Sequence, residues 1–600
     1  MMSNARVPRP EHPRPQMFRK EWINLNGEWT CEFDPGKSGM ERGLNQSKGF
    51  SRKIQVPFCP ESRLSGIGNT DFIEAMFYHR KIQVPREWKG KLILLHFGAV
   101  DYECSVYIDG KFAGSHVGGS VSFEFDVTGF VDDGEEHDLV VAVKDEGRSG
   151  VQAVGKQSQT FRSRGCSYTR VTGIWQTVWM ECVGRGGLKS CRIVPDLDNS
   201  AFEFIPEFFE DGGGKSFSIT ILRDGNVLCG SVRGTANTGI PMTAVLDNAR
   251  AWSPEDPFLY DIVFEVFSAD GTLIDRVESY AGLRKIHIEG QRIFLNNREL
   301  FLRMVLDQGF YPDGIWTAPS DEALKRDIEL SMAAGFNGAR LHQKVFEERF
   351  HYWADRLGYL TWGESPSWGL LCFCQSFRDR TAFWESAWNF LSEWKKILLR
   401  DRNHPSIIAW TPANETWSCT QDTALYRRLI SEISDTTRML DPTRPVNDCS
   451  GYYHVKTDLW TVHIYRKSPE ELKSALEQKE SNEKTRENHA GLGISYQGQP
   501  FLNDEFGGFM FIPPDRKKFA ENTWGYYGIE IKNGDELCLR IAEQVDVMLE
   551  MPELSGYCYT QLTDVEQEQN GLYNYDRTEK VDPAKLAAIF GKVPERLQGK

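Results

Sequence analysis

At 600 residues the chain exceeds what one hydrophobic core sustains, so several domains are expected. A formal charge of −15 argues against nucleic acid or an anionic membrane surface as partner, and no apolar run approaches the roughly 18 residues of a membrane span. The N-terminus, from Met1 through Pro-rich sequence to Pro15, lacks the apolar centre of a signal peptide and reads as an extended arm. The 13 cysteines are odd in number and scattered. They fit buried free thiols in a reducing, cytoplasmic setting better than a disulfide framework.

Up to residue 184 the chain consists of short alternating runs broken by turn residues, such as 91–97, 102–108 and 122–127. Asp109-Gly110 is a two-residue hairpin signal. With no convincing helix, residues 1–184 read as a jelly-roll β-sandwich. Residues 185–285 hold further strands (216–222, 259–267) and have the size of an immunoglobulin-like sandwich. From residue 286 strand-like segments alternate with amphipathic helical ones. Strands are predicted at 300–306, 336–341, 359–363, 406–410, 444–448, 459–464, 501–504 and 554–559. Helices are predicted at 320–334 (with Ser320 as N-cap), 346–357, 382–400 and 423–440. Eight strands within 286–600 fit a (β/α)8 TIM barrel. The polar stretch 476–489 reads as a solvated loop.

Two strand ends carry carboxylates. Residues 403–415, Asn-His-Pro-Ser-Ile-Ile-Ala-Trp-Thr-Pro-Ala-Asn-Glu, form a buried apolar strand that delivers Asn414 and Glu415 to its C-terminal end. Residues 499–508, Gln-Pro-Phe-Leu-Asn-Asp-Glu-Phe-Gly-Gly, deliver Glu505 in the same way. A single glutamate after a strand is most simply a capping residue or half of an ion pair. Two of them at the C-terminal face of a barrel match the paired carboxylates of a glycosidase.

Longer motifs carry a resemblance. Val106-Tyr-Ile-Asp-Gly-Lys-Phe-Ala-Gly-Ser-His and Thr172-Gly-Ile-Trp-Gln-Thr-Val-Trp lie in the first sandwich, and Ala251-Trp-Ser-Pro-Glu-Asp-Pro-Phe-Leu-Tyr in the second. Together with 403–415 they are similar to the signatures of glycoside hydrolase family 2, the relatives of β-galactosidases, β-glucuronidases and β-mannosidases. The resemblance implies that Glu415 is the general acid/base and Glu505 the nucleophile of a retaining mechanism. One carboxyl group would be held protonated and the other ionised, the charge of one raising the pKa of its neighbour.

The same resemblance implies that Asn414 bonds the sugar 2-hydroxyl and that Tyr465, with His463 beside it, orients the nucleophile. Arg340 and His342 would order the glutamates, with Glu364 and Trp368 on the site wall. Three departures stand out. Asp307, followed by Gln308, occupies the place of a family histidine and is expected to accept from sugar hydroxyls. Tyr559 stands where relatives have a tryptophan. The Asn-x-Lys with which β-glucuronidases grip the sugar carboxylate is replaced by Glu568-Gln-Asn570.

The expected activity is therefore hydrolysis of a terminal neutral β-linked sugar, with β-galactosidase first. The alternatives are β-glucuronidase, β-mannosidase or arabinopyranosidase activity, or a catalytically dead carbohydrate-binding protein. The expected partner is an oligosaccharide or glycoconjugate, and no cofactor is expected. Cys372-Phe-Cys374 lacks a matching Cys/His pair at metal-ligand spacing, so no metal is expected either. Assembly into a homo-oligomer is left open.

Overall fold

The computed structural model describes residues 7–132, 134–374, 379–416, 422–451, 453–477, 494–516, 523–527 and 531–598. The first sandwich packs a four-stranded sheet against a six-stranded one. Trp29, Tyr78, Leu95, Phe97, Val106, Val141 and Met180 fill the space between them. Its hairpin turns at Asp109-Gly110, both with positive φ (48° and 75°), which lets the strands Glu103–Ile108 and Lys111–Val117 pair in the twist-matched geometry.

The second sandwich pairs a three-stranded sheet with a four-stranded one around Phe202, Phe204, Phe217, Tyr260 and Phe264. Burial alternates strictly along Tyr260–Phe267, as expected of a strand with one face on a core. The arm is ordered from residue 7. Arg9 is buried and paired with Glu347 at 2.8 Å, so the arm ties the first sandwich to the barrel. Residues 1–6 of the arm lie outside the described residues.

A short antiparallel meander, Ile286–Glu289, Arg292–Leu295 and Arg298–Leu300, precedes the barrel. Its Ile286, Ile293 and Leu295 pack under the barrel interior with Leu302, Met304, Leu306, Trp362 and Leu502. Among the described residues a curled sheet of seven strands follows, all pairs parallel, in the order Ile407–Thr411, Leu360–Glu364, Gly338–Leu341, Leu302–Asp307, Leu554–Thr560, Phe501–Gly507, Trp460–His463.

The predicted strand at 444–448 does not form a regular ladder. It supplies isolated parallel bridges, Trp410 with Val446 and Asn414 with Ser450, in the gap between the two end strands. Pro445 has no N–H to give, and the Val446 N–H donates to the Asp458 carboxylate at 2.8 Å rather than to a neighbouring strand.

Helices Asp321–Ala333, Glu348–Leu357, Arg380–Asp401 and Thr423–Leu440 fall where periodicity placed them, and Ser320 Oγ accepts from Ala323 N at 3.2 Å as its cap. The stretch read as a loop from residue 476 begins at the end of the helix Pro469–Leu476, and residues 478–489 lie outside the described residues.

Side chains alternate in and out of the barrel, which decides which strand-end residues reach its mouth. Leu302, Met304 and Leu306 face in, so Val305 and Asp307 face the helices. Along Leu554–Thr560, Cys558 faces in, while Tyr557 and Tyr559 face out against Phe506 and Phe590.

The candidate active site

Arg340 is the hub. All five of its N–H donors have acceptors, the full capacity of a guanidinium. Nε donates to Glu364 Oε2 (2.7 Å), and one terminal nitrogen to Glu505 Oε1 (3.0 Å) and the Asp504 carbonyl (2.9 Å). The other donates to Asn414 Oδ1 (2.6 Å) and His342 Nδ1 (3.0 Å). Arg340 is fully buried, so only this set of partners makes its charge tolerable there.

Receiving that bond at Nδ1 makes His342 neutral with its proton on Nε2. Burial, with the charges of Lys156 and Arg340, drives its pKa far down in agreement. The 3.0 Å approach of Glu364 Oε1 to the same nitrogen is then a contact rather than a salt bridge, and Glu364 Oε1 accepts instead from Gln343 N at 3.0 Å.

Glu505 is held from two sides, by Arg340 on Oε1 and by the Tyr465 hydroxyl on Oε2 (2.8 Å). Tyr465 is fixed by a 2.9 Å bond with Thr560 Oγ1 and by stacking on Tyr526 at 3.9 Å. Burial pushes the Glu505 carboxyl up, but the charges of His463 and Arg340 outweigh it and hold the group below the ordinary carboxylate range.

Glu415 sits opposite. Its backbone is left-handed (φ 47°), a conformation costing a β-carbon-bearing residue on the order of 1 kcal/mol or more. It is held by Glu415 N donating to Ser450 O (2.8 Å) and Ser450 N to Ala413 O (2.9 Å). An oxygen of Glu415, an oxygen of Glu505 and a ring nitrogen of His463 lie within 4.8 Å of one another.

His463 links the two glutamates. Nδ1 stands 2.7 Å from Glu415 Oε1 and 3.5 Å from Glu505 Oε2, while Nε2 bonds Ser450 Oγ (2.9 Å), which donates to Asp504 Oδ2 (2.6 Å). Burial lowers the pKa of His463, but the charges of Glu505 and Asp504 and the bond to Glu415 raise it to about 9. Conversely, burial raises Glu415, and the hydrogen bond and charge of His463 bring it down to about 2.

Where one carboxyl group is expected to be raised and the other lowered, both are shifted downward. The charges of His463 and Arg340 pull both carboxyl groups below the ordinary carboxylate range, against the effect of burial.

Trp368 donates Nε1 to the Asn414 carbonyl (3.1 Å), and the Lys156 ammonium lies over its ring at 3.8 Å. Asn414 Nδ2 is buried and has no partner among the described residues.

Nine of the eleven residues singled out from sequence thus converge: Glu415, Glu505, Asn414, Arg340, His342, His463, Tyr465, Glu364 and Trp368. The other two do not. Asp307 faces the helix layer, accepts from Gly309 N (2.9 Å) and sits among Asp327, Arg577 and Lys344. Tyr559 packs on Phe506 and Phe590 outside the sheet, and Thr560, one residue on, is what meets Tyr465. Both misplacements come from the parity of a strand, where a one-residue step reverses the facing side.

Sequence reasoning missed Ser450, Asp504, Thr560, Tyr526 and Lys156. Asp504 and Thr560 adjoin residues already singled out, so counting inward-facing positions could have found them. No pattern in the sequence marks Lys156.

The chain matches the sugar binding domain of glycosyl hydrolases family 2 over residues 68–178, a further glycosyl hydrolases family 2 model over 195–284 and the family 2 TIM barrel domain over 286–513. A β-glucuronidase of Paenibacillus borealis is 24 % identical over 447 residues, 71 % of this chain and 72 % of that protein. A β-galactosidase of Thermoanaerobacter pseudethanolicus is 26 % identical over 446 residues, 71 % of this chain but only 54 % of the relative. The solved structure of Ruminococcus gnavus β-glucuronidase superposes with a TM-score of 0.79 at 18 % identity, covering 97 % of this chain and 98 % of that one. Three family domains in the family's order, over a site built on paired glutamates, place this chain in glycoside hydrolase family 2.

Proposed function

We propose that the chain is a retaining exo-β-glycosidase that removes a terminal neutral β-linked sugar, with β-galactosides the first candidates. The carrying observation is the approach of a Glu415 oxygen to a Glu505 oxygen within 4.8 Å. That suits the carboxyl separation of about 5 to 5.5 Å typical of retaining enzymes and leaves no room for the water an inverting one places between sugar and base.

In this reading Glu505, ionised and aimed by Arg340 and Tyr465, attacks the anomeric carbon as the bond to the leaving oxygen breaks. The leaving oxygen takes a proton from Glu415, which receives it from His463 Nδ1 across their 2.7 Å bond. In the second half Glu415 accepts a proton from water as the water oxygen displaces Glu505. Asn414 Nδ2, a buried donor without a partner among the described residues, is matched to the 2-hydroxyl, a contact that strengthens in the transition state.

The neutral sugar is supported by the local charge. In the stretch matched to the family's uronate-binding Asn-x-Lys, Asn570 stands at the lysine position and Glu568, two residues before it, is buried. An anionic sugar beside a buried carboxylate is costly. A second reading, β-glucuronide hydrolysis, is favoured by one observation, the Lys156 ammonium at the site wall. The divisions 1–184, 185–285 and 286–600 and a cytoplasmic setting belong to the same proposal.

Kinetics on a panel of nitrophenyl β-glycosides, with NMR of the first-formed sugar, test it. A neutral glycoside cleaved with retention is the expected result. An inverted product, or a glucuronide preference, would sink the corresponding part.

A further inference from the structure

The loop spanning residues 145–172 of the first sandwich crosses to the barrel mouth and is fixed there through backbone. Val154 N donates to Trp368 O at 3.0 Å, and Leu371 N to Gly150 O at 2.8 Å. Gly155 (φ 55°) comes so close to the barrel that a β-carbon there would stand 2.3 Å from the Gln343 carbonyl oxygen. These anchors set the side chain of the next residue, Lys156, on the site face of Trp368, 3.8 Å from its ring.

Lys156 is 6 % exposed, and among the described residues its ammonium has no hydrogen bond and no carboxylate within 4.0 Å. A buried ammonium without an ion-pair partner is costly unless something else supplies oxygen atoms. The strap also carries Tyr168, whose N–H donates to the Lys156 carbonyl at 2.7 Å and whose hydroxyl donates to Glu568. Glu568, from the barrel, takes a second bond from Asn570 Nδ2 at 2.9 Å. Lys156 and Glu568, one from each domain, are not within 4.0 Å of each other, yet each favours the ionised form of the other, while burial holds the Glu568 carboxyl above its ordinary range.

We propose that Lys156 and Glu568 form a split-charge subsite across the domain boundary that binds a neutral hydroxyl group of the terminal sugar, the hydroxyl oxygen accepting from Lys156 and its proton going to Glu568. A hydroxyl satisfies both ends at once. A carboxylate would satisfy only the lysine and would face Glu568. The proposal rests on the glycosidase reading and names what selects its sugar. A cavity of about 440 Å³ lined by Phe72, Asp145, Arg148 and Arg170 among others includes neither Lys156 nor Glu568.

The test is calorimetric binding of two probes, galacto-configured isofagomine and its uronic acid. They share a cation and differ only at the hydroxymethyl or carboxylate. Wild type, Lys156→Met, Lys156→Arg and Glu568→Gln are compared, with melting temperatures to confirm folding. The neutral probe is expected to weaken about tenfold or more in Lys156→Met and in Glu568→Gln, and to recover most of its affinity in Lys156→Arg. The uronic probe is expected to bind wild type more weakly and to gain in Glu568→Gln. A uronic probe that binds wild type better and is lost in Lys156→Met overturns the proposal, as does a neutral probe indifferent to every substitution. Because binding is read without turnover, a wild type that binds the neutral probe as expected yet hydrolyses no glycoside supports the subsite and sinks the glycosidase reading alone.

Discussion

His463 Nδ1 lies 2.7 Å from Glu415 Oε1, and this contact makes Glu415, the proposed acid/base, one half of a proton-holding pair. The pair keeps its proton while His463 is protonated, below about pH 9, and loses it as pH rises through that value. The raised pKa also means that His463 contributes stability fully present below its unfolded value near 6.5 and lost on the way to about 9. The alkaline limb of kcat/KM is therefore expected near pH 9. In His463→Gln the proton can rest only on Glu415, so the limb should move toward the acid side. A limb that stays in place in the variant would show that His463 does not hold the proton.

Glu505→Gln should abolish formation of the glycosyl-enzyme, measured by mass spectrometry after trapping with a fluorosugar. Glu415→Ala should slow substrates with poor leaving groups far more than nitrophenyl glycosides, because a good leaving group needs no proton. Azide should restore activity by attacking the intermediate and giving a β-glycosyl azide. Equal losses for both leaving groups would remove Glu415 from the acid role.

Arg340→Lys keeps the charge but loses the planar fork that serves Glu364, Glu505, Asn414 and His342 together. Leaving buried partners unpaired typically costs about 3 to 5 kcal/mol. A marked fall in both Tm and kcat/KM is expected. A lysine variant with native values would mean that the network is not needed to order the glutamates.

Asp307→Asn should lower or raise Tm while leaving KM untouched, because the side chain faces Asp327, Arg577 and Lys344 rather than the sugar. Burial, with the charge of Asp327, pushes its carboxyl up to about 7. A KM increase confined to the true substrate would return Asp307 to the site.

The barrel alone, residues 286–600, is expected to be insoluble or inactive. It would lose Lys156, the bond from Trp252 Nε1 to Asp355 O (2.7 Å) and that from Arg284 to Ile407 O (2.8 Å). Full activity of the soluble fragment would make the sandwiches dispensable.

The sequence was most legible where one physical signal repeats. Period-2 runs marked both sandwiches, helical periodicity and the Ser320 cap marked the barrel's outer layer, and apolar runs ending in Glu415 and Glu505 marked the strands that carry the candidate site. Legibility failed where facing depends on a single residue of register, as at Asp307 and Tyr559, and where a strand was replaced by bridges around Pro445. It failed also for Lys156, whose place is set by a contact between domains some two hundred residues apart in sequence, which no local pattern encodes.

Gly155 leaves no room for a side chain between sandwich and barrel, and its carbon trace is pressed against Gln343. A chimera that joins this barrel to another relative's sandwich would therefore inherit a poor fit at the mouth unless the loop travelled with the barrel. If Lys156 selects the sugar as proposed, substrate preference and domain pairing are inherited together, and change in either calls for matched substitutions on both sides of the seam.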